Sequence, residues 1–306
     1  MAALLAGMNV QAADSEFTFG GDVELDLNAI NKSDSDDTIG HGGRVKLNAV
    51  GMIEGDGYFV KGVAQPLVPL KGNDLGYDDV FLQFGSNAWD VQLGRFEGIG
   101  VFGKGKDTLV ENAGGIGVYE GNYARGRRDD VIHGAVNFAV SDAMKLQLGA
   151  MVDKQGSDTF TGVRPAISYS ANGMSISAAV ESVSDDISGV DKTGFGITGG
   201  VGLGAGTLGA SFAKGTEDDG SNETDTTSAS LHYTQGQWGV GYIHSEVDDG
   251  SAGGNPSVDT FHAAYTVPLF GTKNASVTFA ASTSKADNVA TDDTVNAARV
   301  RFNYAF

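Results

Sequence analysis

The chain has 306 residues, with 20 Lys and Arg against 39 Asp and Glu, which gives a formal net charge of −19. This acidity argues against a nucleic-acid partner, because a phosphate-binding surface needs a basic patch. The absence of cysteine excludes disulfides, thiolate metal sites and a cysteine nucleophile. No apolar run reaches the ~18 residues of a transmembrane helix, but a membrane β-barrel needs only alternate apolar positions.

Residues 1–12 have the character of an export signal. The stretch 1–8 is apolar, and Val10–Ala12 forms a small-x-small cleavage site. The first basic residue is Lys32, although a signal peptide normally begins with one. We therefore expect a signal-peptide remnant over 1–12, followed by a mature domain over 13–306. The alternative is a short apolar start to a soluble domain.

Beyond this segment, period-two alternation predicts strands along the whole chain. In the first of them, odd apolar positions from Phe17 to Leu27 alternate with the acidic residues Asp22, Glu24 and Asp26. The last segment repeats the pattern, with arginines on its polar face. The predicted strands are 16–29, 42–54, 58–70, 77–85, 89–98, 129–141, 145–152, 162–170, 174–181, 194–203, 207–214, 227–234, 238–246, 258–267, 274–284 and 296–306.

The breaks between these strands alternate between short turns and long polar loops. Seven are short, and the eight long ones include a third loop that is much longer than its neighbours. An even strand number, with short turns at one rim and long loops at the other, is typical of outer-membrane barrels. The sequence thus predicts an all-β fold, a 16-stranded antiparallel transmembrane β-barrel in the outer membrane of a Gram-negative bacterium. The predicted long loops are 30–41, 71–76, 99–128, 153–161, 182–193, 215–226, 247–257 and 285–295.

Two features favour a membrane barrel over a soluble sheet. Charges in mid-strand, such as Glu24, Lys46, Lys61 and Arg301, suit a wet lumen. Aromatic residues gather beside the short turns, as in the interfacial girdle of a barrel. In a soluble sheet the same aromatics would form cross-strand pairs. They are Tyr58, Phe84, Trp89, Phe138, Tyr169, Tyr233, Trp238, Tyr265 and Tyr304.

The polar faces also place opposite charges on neighbouring strands. Once the barrel closes, the acidic residues of the first strand lie between basic residues of the second and last strands. Opposed charges across a narrow water-filled section create a field that orders water and dipolar solutes. The alternative is that they form ion pairs that only stabilise the wall. The acids are Asp22, Glu24 and Asp26, and the basic residues are Arg44, Lys46, Arg299 and Arg301.

The chain end and the loop pattern resemble a known family. Phe302–Phe306 is similar to the terminal strand that carries the assembly signal of Gram-negative outer-membrane barrels. With sixteen strands and a long third loop, the mature chain resembles the general, trimeric outer-membrane porins. The resemblance implies a homotrimer, a third loop folded into the lumen, and a surrounding of outer-membrane lipid and lipopolysaccharide. It also implies contact with the barrel-assembly machinery through Phe306.

The same resemblance suggests residues of a pore constriction. The segments 43–47 and 92–95 look like the porin strands that supply constriction arginines, and 124–128 looks like the basic segment before the sixth strand. Residues 111–115 loosely resemble the family's acidic, glycine-paired loop motif, without its flanking Pro and following Asp. The implied bases are Arg44, Lys46, Arg95 and Arg127, and the implied loop acids are Asp107, Glu111 and Glu120.

Arg95 has a position that differs from the other bases. Strict alternation places it with Val91 and Leu93 on the lipid face. It reaches the lumen only if a bulge at Gly94 shifts the alternation, or if it lies above the hydrocarbon in the loop. Arg127 shares the inward positions of His133 and Asn137.

The remaining features bear on partners and cofactors. The long loops are acidic, and no cofactor is expected apart from weak, shared Ca²⁺ or Mg²⁺ binding between these loops and lipopolysaccharide phosphates. The alternative is that the loop acids are solvated surface charge. Outward glycines suggest a trimer contact: Gly51, Gly62, Gly134 and Gly199.

The pattern predicts a porin for passive diffusion of small hydrophilic solutes and ions, with a mild preference for cations, and not an enzyme. The sequence has neither an H-E-x-x-H nor a G-x-S-x-G motif. The alternatives are a substrate-selective carbohydrate porin, a structural or adhesive barrel with a plugged lumen, and a soluble secreted β-protein. A carbohydrate porin should show a lumenal row of aromatics, for which only Phe81, Tyr119 and Tyr123 are available.

Overall fold

The computed structural model describes residues 14–306 apart from 73, 107, 108, 110 and 251. The expected signal remnant over 1–12 and Asp107 lie outside the described residues. The strands are β1 (Asp14–Lys32), β2 (Thr38–Gly55), β3 (Tyr58–Pro69), β4 (Gly76–Ser86), β5 (Trp89–Arg95), β6 (Ile132–Ala139), β7 (Met144–Gln155), β8 (Asp158–Ala171), β9 (Met174–Asp185), β10 (Asp191–Leu203), β11 (Gly206–Asp218), β12 (Glu223–Gln235), β13 (Trp238–Asp248), β14 (Ser257–Pro268), β15 (Ala275–Asp287) and β16 (Thr294–Ala305).

The sixteen strands form one closed antiparallel barrel, which confirms the predicted fold. Each strand pairs with its neighbours in the chain, and β16 pairs with β1. At the closure, Leu25 lies opposite Phe302, and the backbones of Gly21 and Phe306 exchange two 3.0 Å hydrogen bonds. No open sheet edge remains at this seam, as a membrane-spanning sheet requires.

The two faces of the wall carry the side chains that the alternation predicts. On β1, Phe17 is 66% exposed on the outside, whereas Asp26 is 8% exposed on the inside. Many large apolar side chains of the strands are exposed on the outer face, which is matched to lipid rather than to water. Among the described residues, no helix is long and apolar enough to cross a membrane.

Aromatic side chains lie beside the short turns, where the sequence predicts an interfacial girdle. Tyr58, Trp238 and Tyr304 are exposed on the outer surface. The rings of Trp238 and Tyr265 lie 4.2 Å apart across β13 and β14. Aromatic rings at this level match the boundary between hydrocarbon and water.

The strands extend further toward the long-loop rim than the sequence predicts. The predicted loop 153–161 is instead the end of β7, a tight turn at Gly156 and Ser157, and the start of β8. Gly156 has a φ of 65°, which glycine adopts without strain. Residues 154–158, around this turn, are polar or glycine and exposed, so the apolar alternation disappears there.

The wall is uneven in height. β5 has 7 residues and β6 has 8, whereas β8 has 14. A tilted strand needs about 9–11 residues to cross the hydrocarbon. Residues 96–131 form the third loop, which connects β5 to β6 at this low part of the wall. We call it the constriction loop.

Candidate pore constriction

The constriction loop folds into the barrel, as the family resemblance implies. Its first arm runs along the inner wall of β7 to β13. The Ile99 amide donates to Gln147 Oε1 at 2.8 Å, and the Gly103 amide donates to Ser211 Oγ at 2.8 Å. Lys106 Nζ donates to the carbonyl of Gly236, in the short turn after β12, at 2.8 Å. The arm therefore descends from the long-loop rim to the short-turn rim.

The middle of the loop covers the inside of β14 to β16. Leu109 packs against alanines of these strands, and Ala113 and Ile116 pack against Val258 and Val295. The loop then returns along β13 and β12, where Ser245 Oγ donates to the Gly117 carbonyl at 2.6 Å. The inner faces of β2 to β5 take no part in these contacts.

A short hairpin closes the neck of the loop. The Gly98 amide donates to the Arg125 carbonyl at 2.7 Å, and the Arg127 amide donates to the Phe96 carbonyl at 3.0 Å. Phe96 is fully buried and stacks on His133, with ring centroids 4.0 Å apart. This neck holds the two ends of the loop together between β5 and β6.

The predicted charges on the inner faces of β16, β1 and β2 form one group. Arg301 donates to both carboxylate oxygens of Asp26, at 2.7 and 2.8 Å, and lies 3.7 Å from Glu24. Arg44 donates to Glu24 at 3.0 Å and lies 3.7 Å from Asp22. We call these five residues the wall cluster. These charges are adjacent because the strand register places Arg301 opposite Asp26 and Arg44 opposite Glu24.

A second group links β2 and β4 to the neck of the loop. Lys46 Nζ lies 3.4 Å from Asp78, and Arg127 lies 2.8 Å from Asp78 and 2.9 Å from Asp79. Burial alone would lower the pKa of Arg127, but the hydrogen bond with Asp79 and the nearby carboxylates of Glu97 and Asp78 raise it above its usual value. Arg127 therefore remains charged and joins the loop to the wall.

Three acids and one base of this region were not identified from the sequence. Asp78, Asp79 and Glu97 supply the carboxylates around Arg127, and Arg125 lies 3.0 Å from Glu97. The register of β3 and β4 shifts between Ala64 and Pro66. This irregularity lets two consecutive acids reach the same guanidinium, which strict alternation does not predict.

The other predicted residues occupy separate places. Glu120 stays within the loop, 2.6 Å from Lys104, and Glu111 is half-buried near the loop tip. Arg299 faces inward two residues before Arg301 and lies opposite Asn28 in register. It adds positive charge beside Asp26.

Arg95 does not join the lumenal charges, so the predicted constriction arginine at this position is not supported. The pairing of β4 and β5 runs through Gly94 without a shift, which leaves Arg95 opposite Val80 on the outer face. Its Nε lies 2.6 Å from Asp129, and its guanidinium lies over the Tyr77 ring at 5.5 Å. The alternation of the strand therefore decides the position of Arg95.

The three aromatic residues available for the lumenal row of a carbohydrate porin pack against other protein groups. The rings of Tyr119 and Tyr123 pack on each other with centroids 4.6 Å apart, on the side of the loop that faces the wall. Burial and the neighbouring Glu181 carboxylate raise the pKa of the Tyr119 phenol, which keeps its proton and donates a hydrogen bond to Glu181. Phe81 packs edge-on against the buried Phe96.

Comparison with solved structures places this architecture among porins. No protein-family model matches the sequence, and no curated protein matches it. An anion-selective porin from Comamonas acidovorans is 14% identical, covers 96% of this chain and 100% of its own, and has a TM-score of 0.71. The fold is that of an outer-membrane porin barrel. The trimer form of OmpT, an outer membrane protein of Vibrio cholerae, is 13% identical over 95% of this chain and 99% of its own, with a TM-score of 0.70.

A third solved structure has the same barrel. A mutant of Rh. blastica porin is 15% identical over 95% of this chain and 100% of its own, with a TM-score of 0.63. At 13–15% identity, the similarity shows a common fold alone. The roles of individual lumenal charges therefore depend on the contacts within this chain.

Proposed function

We propose that this protein is an outer-membrane porin, a non-enzymatic, water-filled channel for passive diffusion of small hydrophilic solutes and ions, with a mild preference for cations. The observation that carries the proposal is the long loop lying inside a closed barrel, opposite a wall of fixed charges. A sixteen-stranded barrel is wide enough to leave an aqueous channel. The packing of Tyr119, Tyr123 and Phe81 disfavours the carbohydrate-selective alternative.

The direct test is conductance in a planar lipid bilayer. We expect the purified, detergent-extracted protein to insert and give uniform current steps in KCl solution. A reversal potential under a KCl gradient should show a mild excess of cation current, and the excess should shrink as salt rises, because mobile ions screen charge within about 8 Å at physiological ionic strength. A folded barrel that gives no current steps would overturn the porin assignment in favour of a structural or adhesive barrel.

We further propose that the protein is a homotrimer whose contact includes the low wall at β5 and β6. Strands of 7 and 8 residues are too short to meet the full hydrocarbon thickness, so a neighbouring subunit is the better match for this surface. Gly51, Gly62 and Gly134 lie on the outer face on this side of the barrel, whereas Gly199 lies on β10. Phe306, at the barrel seam, is proposed as the contact for the assembly machinery.

Gly62→Trp is expected to disrupt the oligomer. A Cβ at Gly62 meets open space on the outer surface, so the indole leaves the subunit fold intact and obstructs only a neighbour. Ala210→Trp, on the outer face of β11, is the matched control and should retain the oligomer. The measurement is the mass of the protein–detergent complex by light scattering, with unheated gel mobility beside it. A monomeric wild type, or two variants with equal oligomer content, would contradict this interface.

Outer-membrane lipid and lipopolysaccharide are the proposed surroundings of the remaining outer wall. Weak binding of Ca²⁺ or Mg²⁺ at the acidic rim stays a prediction. Among the described residues, no group of three or more His, Asp or Glu side chains is arranged to hold a metal ion. We propose that a divalent cation at the rim is shared with lipopolysaccharide phosphates.

A further inference from the structure

A buried ion pair lies beneath the return arm of the constriction loop. Arg164 of β8 is 2% exposed and Glu181 of β9 is 5% exposed, and Arg164 Nε lies 3.3 Å from Glu181 Oε2. Both side chains point into the barrel, away from lipid. A buried ion pair needs further hydrogen bonds to offset the loss of water around its charges.

The constriction loop supplies four hydrogen bonds to this pair. Glu181 accepts from the backbone amides of Tyr123 and the next residue, at 2.8 and 3.0 Å, and from the Tyr119 hydroxyl. Arg164 Nη2 donates to the Gly121 carbonyl at 3.1 Å. One charged pair on the wall thus holds the segment 119–124 of the loop. We call Arg164 and Glu181 the loop clamp.

The neighbouring wall is shaped for the clamped segment. A Cβ at Gly194 would lie 1.9 Å from the Tyr119 hydroxyl, and a Cβ at Gly215 would lie 2.8 Å from the Tyr123 hydroxyl. Glycines at these inward positions of β10 and β11 therefore leave the space that the two rings occupy. Four strands, β8 to β11, therefore contribute residues to the contact with the clamped segment 119–124.

The clamped segment determines the position of the charged residues of the loop. It contains Glu120, and it leads directly into Arg125 and Arg127, which pair with acids at the neck and on β4. We propose that Arg164 and Glu181 are positioning residues that set the calibre and steadiness of the pore without touching the solute. This inference rests on the proposed porin function and adds to it the residues that fix the constriction loop.

The test compares single-channel currents of folded oligomers in planar bilayers. Glu181→Gln keeps the size of the side chain but leaves the Arg164 charge uncompensated, so the return arm should leave the wall. We expect the single steady open level to be lost and closure to occur at lower voltage. Tyr119→Phe removes one donor to the carboxylate and should give a smaller change in the same direction.

Two further variants separate positioning from general damage. The double change Arg164→Met, Glu181→Met removes both charges, so it should give steadier currents than Glu181→Gln alone. Lys214→Gln breaks the 2.7 Å pair with Asp225 on the outer face and should leave the currents unchanged. Heat-modifiable gel mobility verifies that each variant is folded.

Two results would overturn the clamp while leaving the porin assignment intact. One is a conducting wild type whose folded Glu181→Gln variant has the same open level, noise and closing voltage. The other, should Glu181→Gln fail to fold, is a Tyr119→Phe variant indistinguishable from the wild type. A wild type that does not conduct would instead refute the porin function itself.

Discussion

Replacing Asp22 and Asp26 with Asn and Glu24 with Gln should convert the proposed mild cation preference to a clear anion preference. The three carboxylates form the acidic part of the wall cluster, and their loss lets the positive charges of Arg44 and Arg301 dominate this part of the wall. A unit charge about 4 Å away contributes about 1 kcal/mol even in bulk water. We therefore expect the cation-to-anion permeability ratio to fall by about tenfold, which corresponds to about 1.4 kcal/mol.

The measurement is the reversal potential under a KCl gradient for wild type and triple variant. The matched control removes three exposed acids at the long-loop rim, Asp36, Asp186 and Asp287, which gives the same change in net charge away from the wall cluster. It should produce a smaller shift that vanishes at high salt. An anion-selective wild type at low salt, or an unchanged potential in the triple variant, would remove the acidic row from the conduction path.

Much of this architecture could be predicted from the sequence, because the barrel wall obeys a local rule. Lipid outside and water inside impose a period of two on each strand, so Leu25 and Asp26 already differ in chemistry before any contact is known. Closure of the barrel then dictates that the first and last strands are neighbours. Those two facts suffice to bring Asp26 beside Arg301, as the structure confirms.

What the sequence did not predict depends on contacts that no local pattern encodes. Arg164 and Glu181 resemble any inward charges of a wet lumen until the path of the constriction loop over them is known. Asp78 and Asp79 reach one guanidinium only because of the irregular pairing of β3 with β4. The strand ends around Gly156 lose the apolar alternation for a different reason, since residues 154–158 are exposed on both faces.

The glycines of the inner wall were the one signal that could have located the loop. Gly194 and Gly215 occupy inward positions, where a membrane barrel has no need of a missing side chain. Inward glycines on adjacent strands indicate close approach by another segment of chain. In a barrel with one long loop, that segment is the loop.

Replacing residues 100–123 with Gly-Gly should give the largest rise in conductance. The Gly98 amide lies 2.7 Å from the Arg125 carbonyl, so the ends of the deleted segment are already adjacent and the neck can close. The wall that becomes exposed is rich in small polar residues, including Ser211, Ser228 and Ser245, which water can solvate. The barrel should therefore fold without the loop that lines the inside of β7 to β16.

We expect single-channel conductance to increase by roughly twofold or more, because the narrowest water-filled section sets the current through a barrel of this size. In liposome-swelling assays, larger oligosaccharides should enter through the variant than through the wild type. The proposed cation preference should persist, because the wall cluster remains. Replacing residues 219–222 with Gly-Gly, in an exposed loop at the rim, is the matched control and should change neither quantity. Unchanged conductance in a folded deletion variant would mean that the wall cluster, and not the loop, forms the narrowest section.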